Sequence, residues 1–346
     1  MKIGILTFHD GINHGAYLQC YSLMKVLAKE GHDVEIINYK NFKHWLTEYR
    51  VFLLRKNPML ALRNIKKIRK FHTAHKKFNL APMTFSHKKV SRTHYDAVIV
   101  GSDIVWNYEN PLFGFDKLYF GHELNTDKLI SYAASFGAIT KESVPPGDVT
   151  TGLRRFNSIS VRDNNSRDLV KTYIDRDAEV VLDPTFLWNF SGEETVPEDD
   201  NFILVYAFMM PDKIKDQVKE FAKKNNKKII AAAYPQSWCD KNLVTVDPFE
   251  WLGYFKKADY VVTSTFHGTL FSLKYKKQFC TIGNVAINNK VIHILNKVGL
   301  IDCLIRKDET VEQILLAHIN YDDVNKKLQP EIDRSISFLL GALKSD

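Results

Sequence analysis

The sequence predicts an α/β protein of two domains, and three observations carry that reading. The chain has 346 residues, too many for one ordinary core and about right for two domains of roughly 150 residues each. Short apolar runs of strand length alternate with stretches of helical periodicity, the pattern of β-α-β units around a parallel sheet. A polar, acidic stretch at 191–200, carrying Gly192 and Pro197, separates two such series and reads as a linker.

The elements follow in order. Residues 3–8 form a first apolar run that turns polar at His9 and Asp10. Leu23, Val26 and Leu27 have helical spacing within 16–29, and Gly31 stops that helix. Residues 34–38 give a second strand. In segment 40–78, Phe42, Trp45, Leu46, Tyr49, Phe52 and Leu53 fall on one helical face. Leu62, Ile65, Ile68 and Phe71 form another stripe, with a break at Asn57-Pro58. Runs at 97–100, 129–133, 158–161 and 180–182 read as buried strands. Beyond the linker, 202–208, 228–233, 260–264 and 278–282 read as strands, and 213–225 as a helix. In the tail, Ile332, Ser335, Ile336, Leu339 and Leu343 share one helical face. The predicted domains are 1–190, with a basic helical insertion at about 40–78, then 201–320, and a helical tail 321–346 that docks on the first domain.

Composition excludes several classes. Hydrophobic residues make up 45% and charged residues 25%, a soluble globular balance rather than a disordered or collagenous one. Cys20, Cys239, Cys280 and Cys303 lie far apart, so neither a disulfide framework nor a cysteine zinc site is expected, and a reducing cytoplasm fits. The opening apolar run is too short for a signal peptide, and there is no run of 18 apolar residues to span a membrane. The net charge is +8, but residues 40–77 hold twelve Lys and Arg against one acid, Glu48. The protein is therefore near-neutral with one basic insertion. Apolar faces rimmed with Lys and Arg fit an anionic membrane surface, or pack on the first domain and leave a solvated basic surface. Their helical rather than base-stacking spacing argues against nucleic acid.

In open α/β sheets ligands bind beyond the carboxyl ends of the strands, which gives a short list of site residues. Ser264, Thr265, His267, Gly268 and Thr269 open a helix after the 260–264 strand. Small hydroxylated residues and glycine there leave N–H groups for an anion, and histidine can move a proton near neutral pH; the other reading is that Ser264 or Thr265 caps the helix and His267 packs at the domain face. Asn13, His14 and Gly15 offer a similar helix start after the first strand, with a plain cap as the other reading. Ser102 and Asp103 follow the 97–100 strand. Asp103 is a candidate base or an Asx turn. Arg162 could grip a carboxylate or phosphate through its planar fork, or could pair with Asp163 or Asp183. Asp175-Arg176-Asp177 matches an Asp-x-Asp metal pattern but reads as surface charge. No GxGxxG, GxxxxGK[ST] or HExxH pattern is present.

Collected, these residues resemble the polysaccharide pyruvyl transferase family. The resemblance runs from residue 1 to about 320. It rests on 3–7 with Asn13-His14-Gly15-Ala16, on Gly101-Ser102-Asp103 with Trp106-Asn107, and on 131–137. It continues through Ser160-Val161-Arg162-Asp163, Leu182-Asp183-Pro184-Thr185, Ser264 to Thr269, and Lys297-Val298-Gly299-Leu300. It implies two facing Rossmann-like domains, GT-B-like, with a deep interdomain cleft. It implies transfer of the enolpyruvyl group of phosphoenolpyruvate to two hydroxyls of a sugar in a bacterial surface polysaccharide precursor. No metal or cofactor is then expected, and phosphoenolpyruvate is a co-substrate. The acceptor would be a sugar or lipid-linked oligosaccharide at the cytoplasmic face of the plasma membrane. In this scheme Arg162 and His267 hold or protonate phosphoenolpyruvate, and Asp103 is the base. Where some members carry Arg two positions before the motif histidine, this chain has Thr265. Lys290 could replace that cation, or the donor is held differently, or the activity has changed. A nucleotide-sugar glycosyltransferase or a non-catalytic binding protein of the same fold are the competing readings.

Overall fold

Residues 1–54, 58–110, 114–284 and 287–344 are described in a computed structural model. They divide into two units: 1–61, 72–188 and 330–344 form the first, 62–71 and 189–329 the second. The first unit runs β1 (Lys2–Leu6), α1 (His14–Lys29), β2 (Asp33–Ile36), α2 (Phe42–Leu53), the ends of α3 (Pro58–His75) and α4 (His87–Val90). It continues with β3 (His94–Val100), β4 (Asn125–Ala134), α5 (Gly147–Leu153), β5 (Ser158–Val161), α6 (Asn164–Ile174) and β6 (Glu179–Val180). Its sheet has the order β2-β1-β3-β4-β5-β6, with every neighbouring pair parallel. A parallel sheet is covered on both faces, so its strands are apolar throughout. Ile3, Ile5, Val98, Ile99 and Ile130 are accordingly buried. Trp106, Phe120, Phe136 and Phe156 fill the core on one side of this sheet.

The second unit runs β7 (Phe202–Tyr206), α7 (Asp212–Lys224), β8 (Lys228–Ala232), β9 (Lys241–Leu243), α8 (Pro248–Lys257) and β10 (Tyr260–Thr263). Then come α9 (Phe266–Lys274), β11 (Gln278–Thr281), α10 (Asn288–Val298), α11 (Val311–Leu316) and the start of α12 (Tyr321–Lys344). Its sheet has the order β11-β10-β7-β8-β9, again parallel throughout. Helix α7 shows how the pattern builds the layer: Ile214, Val218, Phe221 and Ala222 recur on one face and are buried.

The elements depart from the sequence reading in a few places. The strand expected at 180–182 is Glu179–Val180, because Leu182 turns its N–H to Ser335 Oγ, 2.9 Å away. Strand β9 is not visible in the sequence, being three residues with a lysine and an asparagine. The tail helix begins at Tyr321 and passes through Pro330. Its residues from 330 on belong to the first unit, tied there by Ser335 and by Lys128 Nζ donating to Leu343 O at 2.9 Å. The acidic linker packs within the second unit. Glu194 accepts from Tyr275 Oη at 3.1 Å, and Asp199 pairs with Lys241 at 2.6 Å.

The basic insertion is less uniform than its sequence. Residues 62–71, which the sequence reading assigns to the first domain, cluster with the second unit. There Lys70 pairs with Glu250, and Lys67, only 3% exposed, donates to Ala233 O at 3.3 Å. Those two charges are therefore not part of an open basic surface. Ile68 and Phe71 are buried, whereas Leu62 and Ile65 are exposed. On α2, Phe42, Leu46 and Leu53 are exposed as well. The predicted break at Asn57 lies outside the described residues, and α3 starts at Pro58. Among the described residues no helix is long and apolar enough to cross a membrane. All four cysteines are free and buried.

Candidate active site

In the second unit the candidate residues gather where β10 gives way to α9. Thr265 is the N-cap of α9, its Oγ1 accepting from Gly268 N at 2.9 Å. Thr263 Oγ1 accepts from Thr265 N at 3.1 Å and donates to Tyr206 O at 2.7 Å, so the turn is fastened to β7. Gly268 must lack a side chain: a Cβ there would overlap Thr263 Oγ1 and lie 2.7 Å from Thr265 Oγ1. Thr269 is buried, and its hydroxyl meets that of Thr281 at 2.9 Å, which makes it a brace between α9 and β11. Ser264, also buried, accepts from Phe208 N at 3.1 Å. His267 is half-buried, with its ring 5.3 Å from that of Phe266. The Lys290 ammonium lies 5.5 Å from the Phe266 ring centroid, a cation–π distance. The structure thus brings Ser264, Thr265, His267, Gly268 and Lys290 to one turn. Thr265 fills its position with a helix cap that an arginine could not supply, while a cation from α10 stands one residue from His267.

In the first unit the strand order reverses between β1 and β3, and the loops after those two strands carry the other candidates. Asn13 caps α1, its Oδ1 accepting from Gly15 N at 2.9 Å and Ala16 N at 3.1 Å. His14 and Gly15 are buried in that first turn. Ser102 is fully buried and works as a fastener. Its hydroxyl donates to Ala133 O at 3.1 Å, and its carbonyl accepts from Thr7 Oγ1 at 2.8 Å.

Arg162 lies between two carboxylates, 3.2 Å from Asp183 Oδ2 and 3.3 Å from Asp103 Oδ1. Burial works against its charge, but Asp103, Asp183 and Asp163 more than compensate and hold its pKa above the ordinary arginine value. Asp183 is fixed in turn by Thr185, whose N–H and hydroxyl donate to its Oδ1 at 3.1 and 2.8 Å. Asp163 is the N-cap of α6, accepting from Ser166 N at 2.8 Å and Ser135 Oγ at 2.7 Å. The structure therefore joins Arg162 to Asp103, and the pairing with Asp183 that the sequence left open is present. The Asp175-x-Asp177 pair is exposed and shares Lys171, as the surface-charge reading has it.

A cluster around the β1 loop is missing from the sequence list. His9 Nε2 lies 3.0 Å from Asn38 Oδ1, and His75 Nε2 donates to His9 O at 2.9 Å. Ile12 N donates to Glu48 Oε1 at 2.7 Å, and Lys40 stands 3.6 Å from Asp10. Lys40, Glu48 and His75 of the insertion thus grip the loop that leads into Asn13. Burial lowers the His75 pKa to about 4, although the bond to His9 O opposes it. Burial opposes ionisation of Asp10, but His9, Lys40 and His44 hold its carboxyl below the usual value. No local signal announces these contacts, because their partners come from separate elements. At the amino ends of β3 and β4, His94, Asp96 and Asp127 bring possible ligand atoms within 4.8 Å of one another. Asp96 there already accepts from Lys2 N at 2.6 Å, and none of the sequence-selected residues lies in that group.

A family model described as polysaccharide pyruvyl transferase matches residues 13–286. The chain belongs to that family. The match spans the α1 cap, the Arg162 cluster and the α9 turn, and it stops short of Lys290. Membership makes the protein a transferase of the polysaccharide pyruvyl transferase type. Among solved structures the chain is similar to a UDP-GlcNAc 2-epimerase from Neisseria meningitidis bound to UDP-GlcNAc. That likeness has a TM-score of 0.50 at 9% identity and covers 99% of each chain. It is also similar to the UDP-GlcNAc 2-epimerase of Methanocaldococcus jannaschii, with a TM-score of 0.50 at 13% identity, over 96% of this chain and 93% of that one. At such identities the likeness concerns the fold, which is the pair of Rossmann-like domains of the GT-B-like class. No curated protein sequence matches the chain significantly.

Proposed function

We propose that the protein transfers the enolpyruvyl group of phosphoenolpyruvate to two hydroxyls of one sugar in a bacterial surface polysaccharide precursor. The product is a pyruvate ketal, and inorganic phosphate is released. The observation that carries this reading is the α9 turn within the family match: a helix start with Thr265, His267 and Gly268, and Lys290 beside it. Phosphoenolpyruvate brings a phosphate and a carboxylate, and a helix N-terminus with a nearby ammonium suits such a dianionic donor. In the reaction the enol C3 takes a proton and becomes a methyl group. Two sugar oxygens bond to C2, and the C2–O bond to the phosphate breaks. Two hydroxyl protons are lost, one balanced at C3 and one carried off with phosphate. His267 is the acid of this scheme. Asp103, whose side chain retains 17% exposure beside Arg162, is the base for an acceptor hydroxyl. Phosphoenolpyruvate is a co-substrate, and no metal or cofactor enters the scheme.

The test is phosphate release from phosphoenolpyruvate against galactose-, mannose- and glucose-type acceptors. Acceptor-dependent phosphate with formation of a ketal supports the reading. Release of a nucleoside diphosphate from a sugar nucleotide, with phosphoenolpyruvate inert, overturns it.

The same reading places the protein in the cytoplasm, peripheral to the inner face of the plasma membrane, with a sugar or lipid-linked oligosaccharide as acceptor. On α2, exposed Phe42, Leu46 and Leu53 alternate with exposed Lys43 and Arg50, which suits an anionic interface. Sedimentation with vesicles should rise with anionic lipid and fall with salt. Equal, negligible sedimentation with neutral and anionic vesicles would remove the membrane from this reading.

A further inference from the structure

In the second sheet, β7 leads to β8 on one side while β10 lies on the other. The strand order therefore reverses between β7 and β10, the place where open α/β sheets bind ligands. The loops that leave β7, β8, β10 and β11 surround an open pocket of about 960 Å³ there, ample for a small molecule. Phe208 and Met209 form part of its wall, and they are 70% and 73% exposed. Two adjacent apolar side chains of that size left in water beside a site loop form a surface that a ligand can cover.

The Phe208 ring is held rather than loose. It meets Tyr234 edge-on at 5.7 Å, and its backbone is tied to Ser264 Oγ at 3.1 Å. Ser264 is 5% exposed and accepts that bond, but its own hydroxyl proton meets no acceptor among the described residues. Asn284 stands beside it, its amide donating to Ser264 O at 3.1 Å. Across the pocket, Lys215 and Asp212 form an ion pair at 2.7 Å. The lining thus offers one aromatic plate, an adaptable methionine, and a rim of hydroxyl, amide and paired charges.

A phosphate would gain little from a cation already paired with a carboxylate. An alkyl chain would leave the rim unused. A pyranose ring uses both, with C–H groups on one face for the aromatic plate and hydroxyls around its edge for the polar groups. We propose that this pocket holds a pyranose ring of the acceptor, stacked on Phe208, with its hydroxyls on Ser264, Asn284 and the Lys215–Asp212 pair. The proposal rests on the sugar-acceptor reading above.

The experiment is saturation-transfer NMR on the full chain with the methyl pyranosides of galactose, glucose and mannose, comparing wild type with F208A and F208W. Phe208 is exposed, so truncating it leaves the core intact. Wild type and F208W should saturate the ring protons of at least one glycoside. F208A should weaken binding about tenfold, in line with the loss of one aromatic contact. Where turnover is measured, F208A should raise the acceptor KM by a similar factor and leave the phosphoenolpyruvate KM unchanged. Equal saturation of wild type and F208A, or no saturation by any glycoside, overturns the proposal. Binding that depends on Phe208 without phosphate release keeps the pocket and removes the pyruvyl reaction. Phosphate release with an unchanged acceptor KM in F208A does the reverse.

Discussion

Replacing Arg162 by methionine tests the buried charge cluster of the first unit. The guanidinium side chain is 2% exposed and that of Asp183 1%, whereas the Asp103 side chain retains 17%. Removing one partner of a buried ion pair costs about 3–5 kcal/mol, because the other charge stays behind without compensation. Asp183 keeps its two bonds from Thr185, and Asp103 can recover water, so the lower end, about 3 kcal/mol, is expected. Urea unfolding followed by circular dichroism at pH 7.5 reads the loss. Without its cation the buried Asp183 carboxyl should have a folded pKa above its unfolded one. The folded state then binds more protons, and the variant should regain stability as pH falls through that raised pKa. Adding Asp183→Asn to Arg162→Met should recover at least half of the loss at pH 7.5. An unfolding midpoint equal to wild type, or no rescue by Asp183→Asn, would refute the reasoning. It would leave Arg162 as a group that matters only to a ligand.

Three further outcomes follow from the same structure. His267→Ala should lower transfer by on the order of 10²–10⁴ without moving the unfolding midpoint, and near-normal turnover would take His267 out of the reaction. The folded pKa of His75 is depressed to about 4, so its contribution is present above the unfolded pKa of about 6.5 and is lost as pH falls towards 4. That amounts to about 3 kcal/mol over the window, and His75→Gln should flatten the pH–stability curve there; an unchanged slope would count against the buried neutral ring. Ser335→Ala leaves the buried Leu182 N–H without its acceptor and should cost about 1–3 kcal/mol in urea unfolding, which an unaltered midpoint would contradict.

Much of the architecture was legible because a parallel sheet buries both faces of its strands, so β1, β3, β7 and β10 appear as plain apolar runs. Strand β9 was not, since at an edge it is held by backbone pairing with β8 rather than by apolar side chains. The tail helix was legible at 321–346 with its apolar stripe, but its unbroken passage through Pro330 was not. At the site, the α9 turn could be found because its chemistry is local: hydroxyls, glycine and histidine within a few residues. The double pairing of Arg162 was open in the sequence, because its two partners, Asp103 and Asp183, lie on separate loops. Lys67 reads like any surface lysine, and only the tertiary contact with Ala233 removes it from the basic face. The grip of His75 and Glu48 on the β1 loop had no sequence signal, since nothing at 48 or 75 names residues 9 and 12 as neighbours.

The tail that returns to the first unit has a consequence for biosynthesis. Leu182 waits for Ser335 across 153 residues, so the first unit cannot complete its hydrogen bonding while the chain is still emerging from the ribosome. A nascent polypeptide released at 188 holds the strands of the first sheet but lacks the helix that accepts the Leu182 N–H and the Lys128 ammonium. Contacts of such long sequence separation form late and slowly. Cutting the chain at the unit boundary to express the first unit alone should therefore give an incomplete body that is prone to aggregation. Joining residues 330–344 behind residue 188 through a flexible linker is the economical way to make that unit by itself.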